Sequence, residues 1–213
     1  MLEGLLPLSG YLRFFVTLAA VLDPFLAVPI FLTLTAARGV GERARLVRVV
    51  AITVFAVLAG AALFGEQLLV LVGASLPAFR VGGGLVLLLM SLAMLNAQAG
   101  GVRQSRAEAA ELESGELSGV VPLAIPLLAG PGAISTAIIA AQKGGAAHLA
   151  AIIGCIAVVS ALAWLILRAA PAIGARMGTT GLNIATRLLG LLLAALAIQT
   201  MAEGLRQLFP GLA

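Results

Sequence analysis

The sequence predicts an all-α membrane protein of six transmembrane helices forming two inverted three-helix repeats, with helices 1 and 4 each broken near the middle. Three observations predict it. Hydrophobic residues make up 62% of the chain and charged residues 10%, and the mean hydropathy is +1.14, far from the values of soluble domains. Two apolar stretches, Val21-Leu22-Asp23-Pro24-Phe25-Leu26-Ala27-Val28-Pro29-Ile30 and Val121 to Thr136, are long enough to enter a bilayer yet carry helix breakers at Asp23-Pro24 and at Gly130-Pro131-Gly132. Finally, one ungapped offset of 107 positions carries Pro24 onto Pro131, Arg80 onto Arg187, Gly83 onto Gly190 and Met94 onto Met201. A duplicated fold with corresponding interrupted segments is the sequence pointer to a transporter binding site.

The elements follow in order. Residues 1–12 read as a short external cap, and helix 1 runs from Arg13 to Thr35, long enough to span at about 1.5 Å per residue. The loop from Ala36 to Arg48 holds Arg38, Arg43, Arg45 and Arg48. Helix 2 follows over Leu46 to Phe64, and Leu68 to Ala78 reads as an interfacial turn. Helix 3 covers Arg80 to Asn96 and opens through Gly82-Gly83-Gly84, glycines that permit close approach of a neighbouring helix. Residues 101–119 are the one markedly polar run, with Glu108, Glu111, Glu113 and Glu116. They read as a solvated linker between a first repeat, 1–100, and a second, 120–213. Helix 4 spans Val120 to Ala141 around its break, and Lys143 to His148 turns the chain into helix 5, Leu149 to Leu167. A glycine-rich loop to Thr180 leads into helix 6, Ile184 to Phe209.

With both termini outside, the cytoplasmic loops hold Arg38, Arg43, Arg45, Arg48, Arg103, Arg106, Arg168 and Arg176, against Arg13, Arg80, Lys143 and Arg206 outside. That excess of cations predicts the orientation. Three spans per half then make the repeats inverted. The net charge of +4 belongs to these loops, and no basic patch interleaved with aromatics points to nucleic acid. A cleaved signal peptide is not expected, since Met1 to Gly10 lacks a basic start. Cys155 is the single cysteine and reads as a buried, inert thiol. His148, the single histidine, lies at a helix edge without ligand spacing to other donors, so no metal or other cofactor is expected.

The residues that could carry chemistry lie at the breaks. Asp23 is the only aspartate and falls inside helix 1, where insertion costs about 2.5–3.5 kcal/mol. Such a residue faces a cavity or a partner. Its structural alternative is the cap of a half-helix that begins at Pro24, and the two roles are compatible. Gly130, Pro131 and Gly132 free the backbone amides of a second half-helix, where an anionic group is stabilised; the alternative is a proline kink held by packing. Ser135 and Thr136 lie in that first turn and offer hydroxyls, although such residues in membrane helices commonly bond their own backbone. Gln199 lies in helix 6, while Asn96 and Glu203 read as solvated helix ends, and Arg80 and Arg187 as side chains that snorkel to the interface. An enzyme is not expected. An intramembrane aspartyl protease needs two aspartates, and a Ser/His pair would have to recruit His148 from the membrane edge. A channel is the competing transport reading, told apart by unitary currents.

Val121-Pro-Leu-Ala-Ile-Pro-Leu-Leu-Ala-Gly-Pro-Gly132, Gly181-Leu-Asn-Ile-Ala-Thr-Arg-Leu-Leu-Gly190, Asp23-Pro24 with Pro29-Ile30-Phe31, and Arg80-Val-Gly-Gly-Gly84 resemble the signature of the MarC family of bacterial and archaeal inner-membrane proteins. The resemblance covers nearly the whole chain. It implies a multi-pass plasma-membrane protein and, through some members, a transporter of small neutral amino acids of the glycine and alanine type. The substrate-binding set would be Asp23, Pro24, Gly130, Pro131, Gly132, Ser135, Thr136 and Gln199. Asp23 would be the coupling residue for H+ or Na+, and a homo-oligomer is compatible. Many relatives carry Gly-Asn between the two prolines of helix 1 where this chain has Leu26-Ala27, which points to a different substrate. Export of another small metabolite or drug, and a non-transporting scaffold or regulatory protein, are the rival readings.

Overall fold

The computed structural model describes residues 7–36, 38–96, 128–142 and 144–212. Seven α-helices, α1 (Leu8–Leu22), α2 (Pro24–Leu34), α3 (Val40–Leu71), α4 (Leu76–Leu95), α5 (Pro131–Ala141), α6 (Ala146–Arg168) and α7 (Ala170–Leu208), occur among them, with no strand. Five apolar stretches are long enough to cross a membrane: Leu8–Leu32, α3, α4, α6 and Thr180–Leu208; α5 is a shorter apolar helix. The polar linker 101–119, Pro122 and Pro126, and the expected first half of helix 4 lie outside the described residues.

Local chemistry sets the helix ends. Asp23 separates α1 from α2, and Pro24 takes the first helical position of α2, where its missing N–H costs nothing. At the far end of α2, Arg43 reaches back from α3. Its Nε donates to Thr35 O (2.9 Å) and Arg38 O (3.0 Å), and its terminal nitrogen donates to Ala36 O (3.1 Å), satisfying carbonyls that a helix end leaves open. The second span is therefore longer than expected. Val40 to Arg48 forms its first turns instead of a loop, and it continues past Gly65, which packs so closely on α5 that an added Cβ would crowd the Ile138 side chain. The expected turn before helix 3 shrinks to residues 72–75, where Gly73 has φ +69° and Ser75 caps α4. The loop expected before helix 6 is helical as well, interrupted at Gly178 (φ 59°, ψ −175°).

The core runs through the bundle from Phe14 and Leu18 through Leu58, Ile152, Ile156 and Leu193. The outside is as apolar as the inside. Ile52, Phe64, Leu188 and Leu191 are all at least 60% exposed, the pattern of helices whose outer faces meet lipid. Since lipid gives no hydrophobic drive between helices, packing of small residues must hold them together. α4 and α7 do this along their length. They run antiparallel with Gly84 against Met201, Gly190 against Met94 and Gly204 against Pro77 and Arg80. Arg43, Arg45, Arg48 and Arg168 collect at one end of the bundle, where Arg168 lies 5.1 Å over the Trp164 ring.

Candidate functional site

Asp23 is the joint of the first broken span. Its backbone is left-handed, φ 42° and ψ 68°, and among the described residues no other non-glycine has positive φ. That conformation costs about 1–3 kcal/mol and persists only when the surroundings hold it. The surroundings are two helix ends. The Asp23 N–H donates to Ala19 O (3.2 Å), closing α1, while Oδ1 accepts from Leu26 N–H (3.2 Å), opening α2. The side chain is fully buried. The cap is thus real, and it places an acidic group inside the apolar bundle.

The second joint is Gly130, extended at φ −76° and ψ 176°, followed by Pro131 at the start of α5 with no side-chain cap. Helix geometry leaves the first-turn amides without intrahelical acceptors. The joints are neighbours. A Cβ on Gly132 would stand 3.4 Å from Val21 Cγ1, 3.0 Å from Leu87 Cδ2 and 2.6 Å from Met90 Sδ, so the first turn of α5 rests on the last turn of α1, and α4 closes over both.

A cleft of about 420 Å³ opens above this point, at the end of the bundle opposite the arginine cluster. Arg13, Phe14 and Thr17 of α1 face Thr136 and Ile139 of α5; Leu196, Thr200 and Glu203 of α7 close the third side. Leu87 belongs to both places, lining the cleft and touching the space at Gly132. It is the partition between cleft and joints.

Of the expected set, only Thr136 lines the cleft. Asp23, Pro24, Gly130 and Gly132 are buried at the joints and Pro131 is exposed. Ser135 turns to α4, its Cβ 3.0 Å from where a Cβ on Gly83 would sit. Gln199 is exposed, its amide donating to Glu203 Oε1 (3.3 Å). Glu203 is half-buried in the cleft wall, not a fully solvated helix end, because α7 is still packed there on the first turns of α4, Gly204 against Pro77 and Arg80. Arg80 does not snorkel. It sits a full turn inside α4 at 7% exposure, packed by Gly204, and its Nε–H has no hydrogen-bond partner among the described residues. Arg187 is exposed, and Cys155 is half-buried, not sealed.

Arg13, Thr17 and Thr200 were not assigned to a site from the sequence, although Leu196, Thr200 and Glu203 follow the four-then-three spacing of one helix face. His148 gave no spacing signal at all. It is fully buried and pins three helices at the cleft mouth. Nε2 lies 2.9 Å from Ala140 O of α5, and Nδ1 lies 2.8 Å from the Tyr11 hydroxyl of α1. A carbonyl can only accept, so Nε2 carries the proton and Nδ1 receives the tyrosine O–H. Replacing His148 with Ala leaves that carbonyl unpaired in a cavity, and thermal unfolding in detergent should show a loss of about 2–4 kcal/mol. Tyr11→Phe, which keeps the ring, should cost less than half as much. Equal melting of wild type and His148→Ala would show that the pin bears no weight.

Residues 8–209 match the family described as MarC family integral membrane protein. The chain is similar to the UPF0056 membrane protein YhcE of Escherichia coli, 32% identical over 213 residues, covering 100% of this chain and 99% of that one. It is 38% identical over 205 residues to the UPF0056 membrane protein YvbG of Bacillus subtilis, covering 95% and 97% of the two chains. It is 36% identical over 200 residues to the UPF0056 membrane protein MJ1677 of Methanocaldococcus jannaschii, covering 93% and 97%. No solved structure matches. A match over nearly the whole chain, with relatives in bacteria and archaea that share its full length, places this chain in the MarC family of integral membrane proteins.

Proposed function

We propose that the chain is a secondary transporter of small neutral amino acids, working by alternating access around its two joints, and not an enzyme. The observation that carries this reading is their adjacency: a buried acid in a left-handed link and the uncapped start of α5 meet through Val21 and Gly132. Broken helices in lipid are tolerated where their freed groups are buried or serve a solute. The ammonium of an amino acid would meet Asp23 or the carbonyls before Pro24, and its carboxylate the amides after Gly130. Leu87 and Met90 fill the space over Gly132, so in this state the joints are shut off from the cleft, and passage requires α4 to withdraw them. Protonation of Asp23, or a sodium ion beside it, would supply the coupling.

Two inverted repeats make such a motion symmetric, and several features favour them. Gly190 rests on Met94, and Gly84 rests on Met201, beside the Gly83 that the 107-residue offset pairs with Gly190. Gly73 and Gly178, both with positive φ, mark the entrance to the last span of each half. With the arginine end in the cytoplasm of a plasma membrane, both termini and the cleft are outside.

The test is counterflow of labelled glycine and alanine in proteoliposomes. Wild type should show saturable exchange, and Gly130→Leu, placing a bulky side chain at the second joint, should reduce it below about a tenth while the protein stays monodisperse. No exchange by wild type, or exchange by the variant at full rate, would overturn the assignment; unitary currents would make the protein a channel.

A further inference from the structure

The cleft has a polarity of its own, separate from that of the joints. Three threonines line it, and each has already given away its only proton: Thr17 Oγ1 donates to Arg13 O, Thr136 Oγ1 to Gly132 O and Thr200 Oγ1 to Leu196 O, all at 2.8 Å. A hydroxyl has one donor and two acceptor lone pairs, so all three can only accept from a solute. The Glu203 carboxylate, acceptor-only when ionised, stands one turn along the same face as Thr200. Its Oε1 takes a single long bond, 3.3 Å, from Gln199. Arg13, one turn from Thr17 on the α1 wall and away from the Thr200 and Glu203 wall of α7, is the one side chain of the lining that brings a charged donor, and it is exposed at the mouth. Between the polar groups Phe14, Leu87, Ile139, Ile152 and Leu196 form an apolar floor.

We propose that this cleft is a loading site for a zwitterionic amino acid with a large apolar side chain. Its ammonium, a compact group with three donors, is held by the Thr136 and Thr200 oxygens and Glu203; its carboxylate meets Arg13 on the α1 wall, and its side chain lies on the apolar floor. Size points the same way. At about 420 Å³ the cleft falls within the range of roughly 300–1,000 Å³ typical of small-molecule pockets and has room for a side chain much larger than a methyl group. The inference rests on the transport reading for its role, since a loading site matters only if passage follows. It extends the substrate class beyond glycine and alanine to larger apolar side chains.

Equilibrium binding tests it without transport. Purified protein in detergent is titrated by calorimetry with L-leucine, with 3-methylbutylamine, which lacks the carboxylate, and with 4-methylpentanoate, which lacks the ammonium. Leucine should bind tightest, the amine more weakly and the acid not measurably. Glu203→Gln and Thr200→Val should each weaken leucine about tenfold or more, and Thr200→Ser should restore it, separating a lost oxygen from a disturbed helix. Acid binding as tight as amine binding, glycine binding as tight as leucine, or leucine binding that is absent or indifferent to both variants would overturn the proposal. Because none of these outcomes depends on flux, a counterflow assay that fails with leucine as well as with glycine and alanine, beside intact leucine binding, would remove the transport reading and leave the cleft assignment standing.

Discussion

Asp23→Asn is expected to abolish amino-acid exchange while leaving the protein folded, because asparagine can keep the left-handed backbone and the Oδ1 cap while it removes the charge. The left-handed conformation at φ 42° is one that asparagine visits readily. Its Oδ1 can still accept from Leu26 N–H as the carboxylate does at 3.2 Å. Two further variants separate architecture from chemistry. Asp23→Ala loses the cap, about 0.5–2 kcal/mol, and forces a Cβ residue without a local side-chain bond into the left-handed region, about 1–2 kcal/mol more, so it should melt well below Asp23→Asn. Asp23→Gly relaxes the backbone and loses only a few tenths of a kcal/mol at the cap; it should fold nearly as well as Asp23→Asn and be as inactive. Full exchange by the asparagine variant would take the charge out of the mechanism. An alanine variant as stable as the asparagine one would mean that the cap does not hold the joint.

The joint at Asp23 and the start of α5 after Gly130 were legible because their chemistry is local. Asp before Pro is a helix start wherever it occurs, and in an apolar run it must also be a helix stop; Gly130-Pro131 carries the same message with glycine as the cap. The lengths of the spans were less legible. Arginines at 43, 45 and 48 suggested a loop, yet α3 begins at Val40 and lets those side chains project from its first turns. The cleft was not legible as a unit. Arg13 and Thr17, Thr136 and Ile139, Leu196 and Thr200 each share a face of their own helix, and periodicity identifies such faces without saying which of them meet. Met90 and Leu87 mislead in the opposite sense: as apolar residues in an apolar helix they are unremarkable in sequence, and only packing shows them filling the place over Gly132. Whether the joints ever become wet is therefore a property of the position of α4, which local sequence does not encode.

Within the run Gly82-Gly83-Gly84 of this helix, neighbouring substitutions should act in opposite directions. A Cβ on Gly84 would lie 2.5 Å from Met201 Cγ and 3.0 Å from both Ala197 O and Met201 N. The methionine side chain can swing aside; the two backbone atoms of α7 cannot, so α4 and α7 must separate along the whole antiparallel contact. Overpacking of this kind costs about 1–3 kcal/mol for a single methyl, and Gly84→Leu should fail to give a monodisperse protein. Gly83 is intermediate. Its Cβ would meet Ser135 Cβ at 3.0 Å and Ile139 Cδ1 at 3.5 Å, both side-chain atoms with some room to give. Gly82 meets nothing within 4 Å and is exposed, so Gly82→Ala should gain about 0.5–1 kcal/mol from reduced backbone freedom in a helix. Thermal unfolding in one detergent should therefore rank the alanine variants with Gly82 above wild type, Gly83 somewhat below and Gly84 lowest. A Gly84→Ala protein that melts at or above wild type would mean that the two helices are not in the close contact on which the position of the Leu87 and Met90 partition depends.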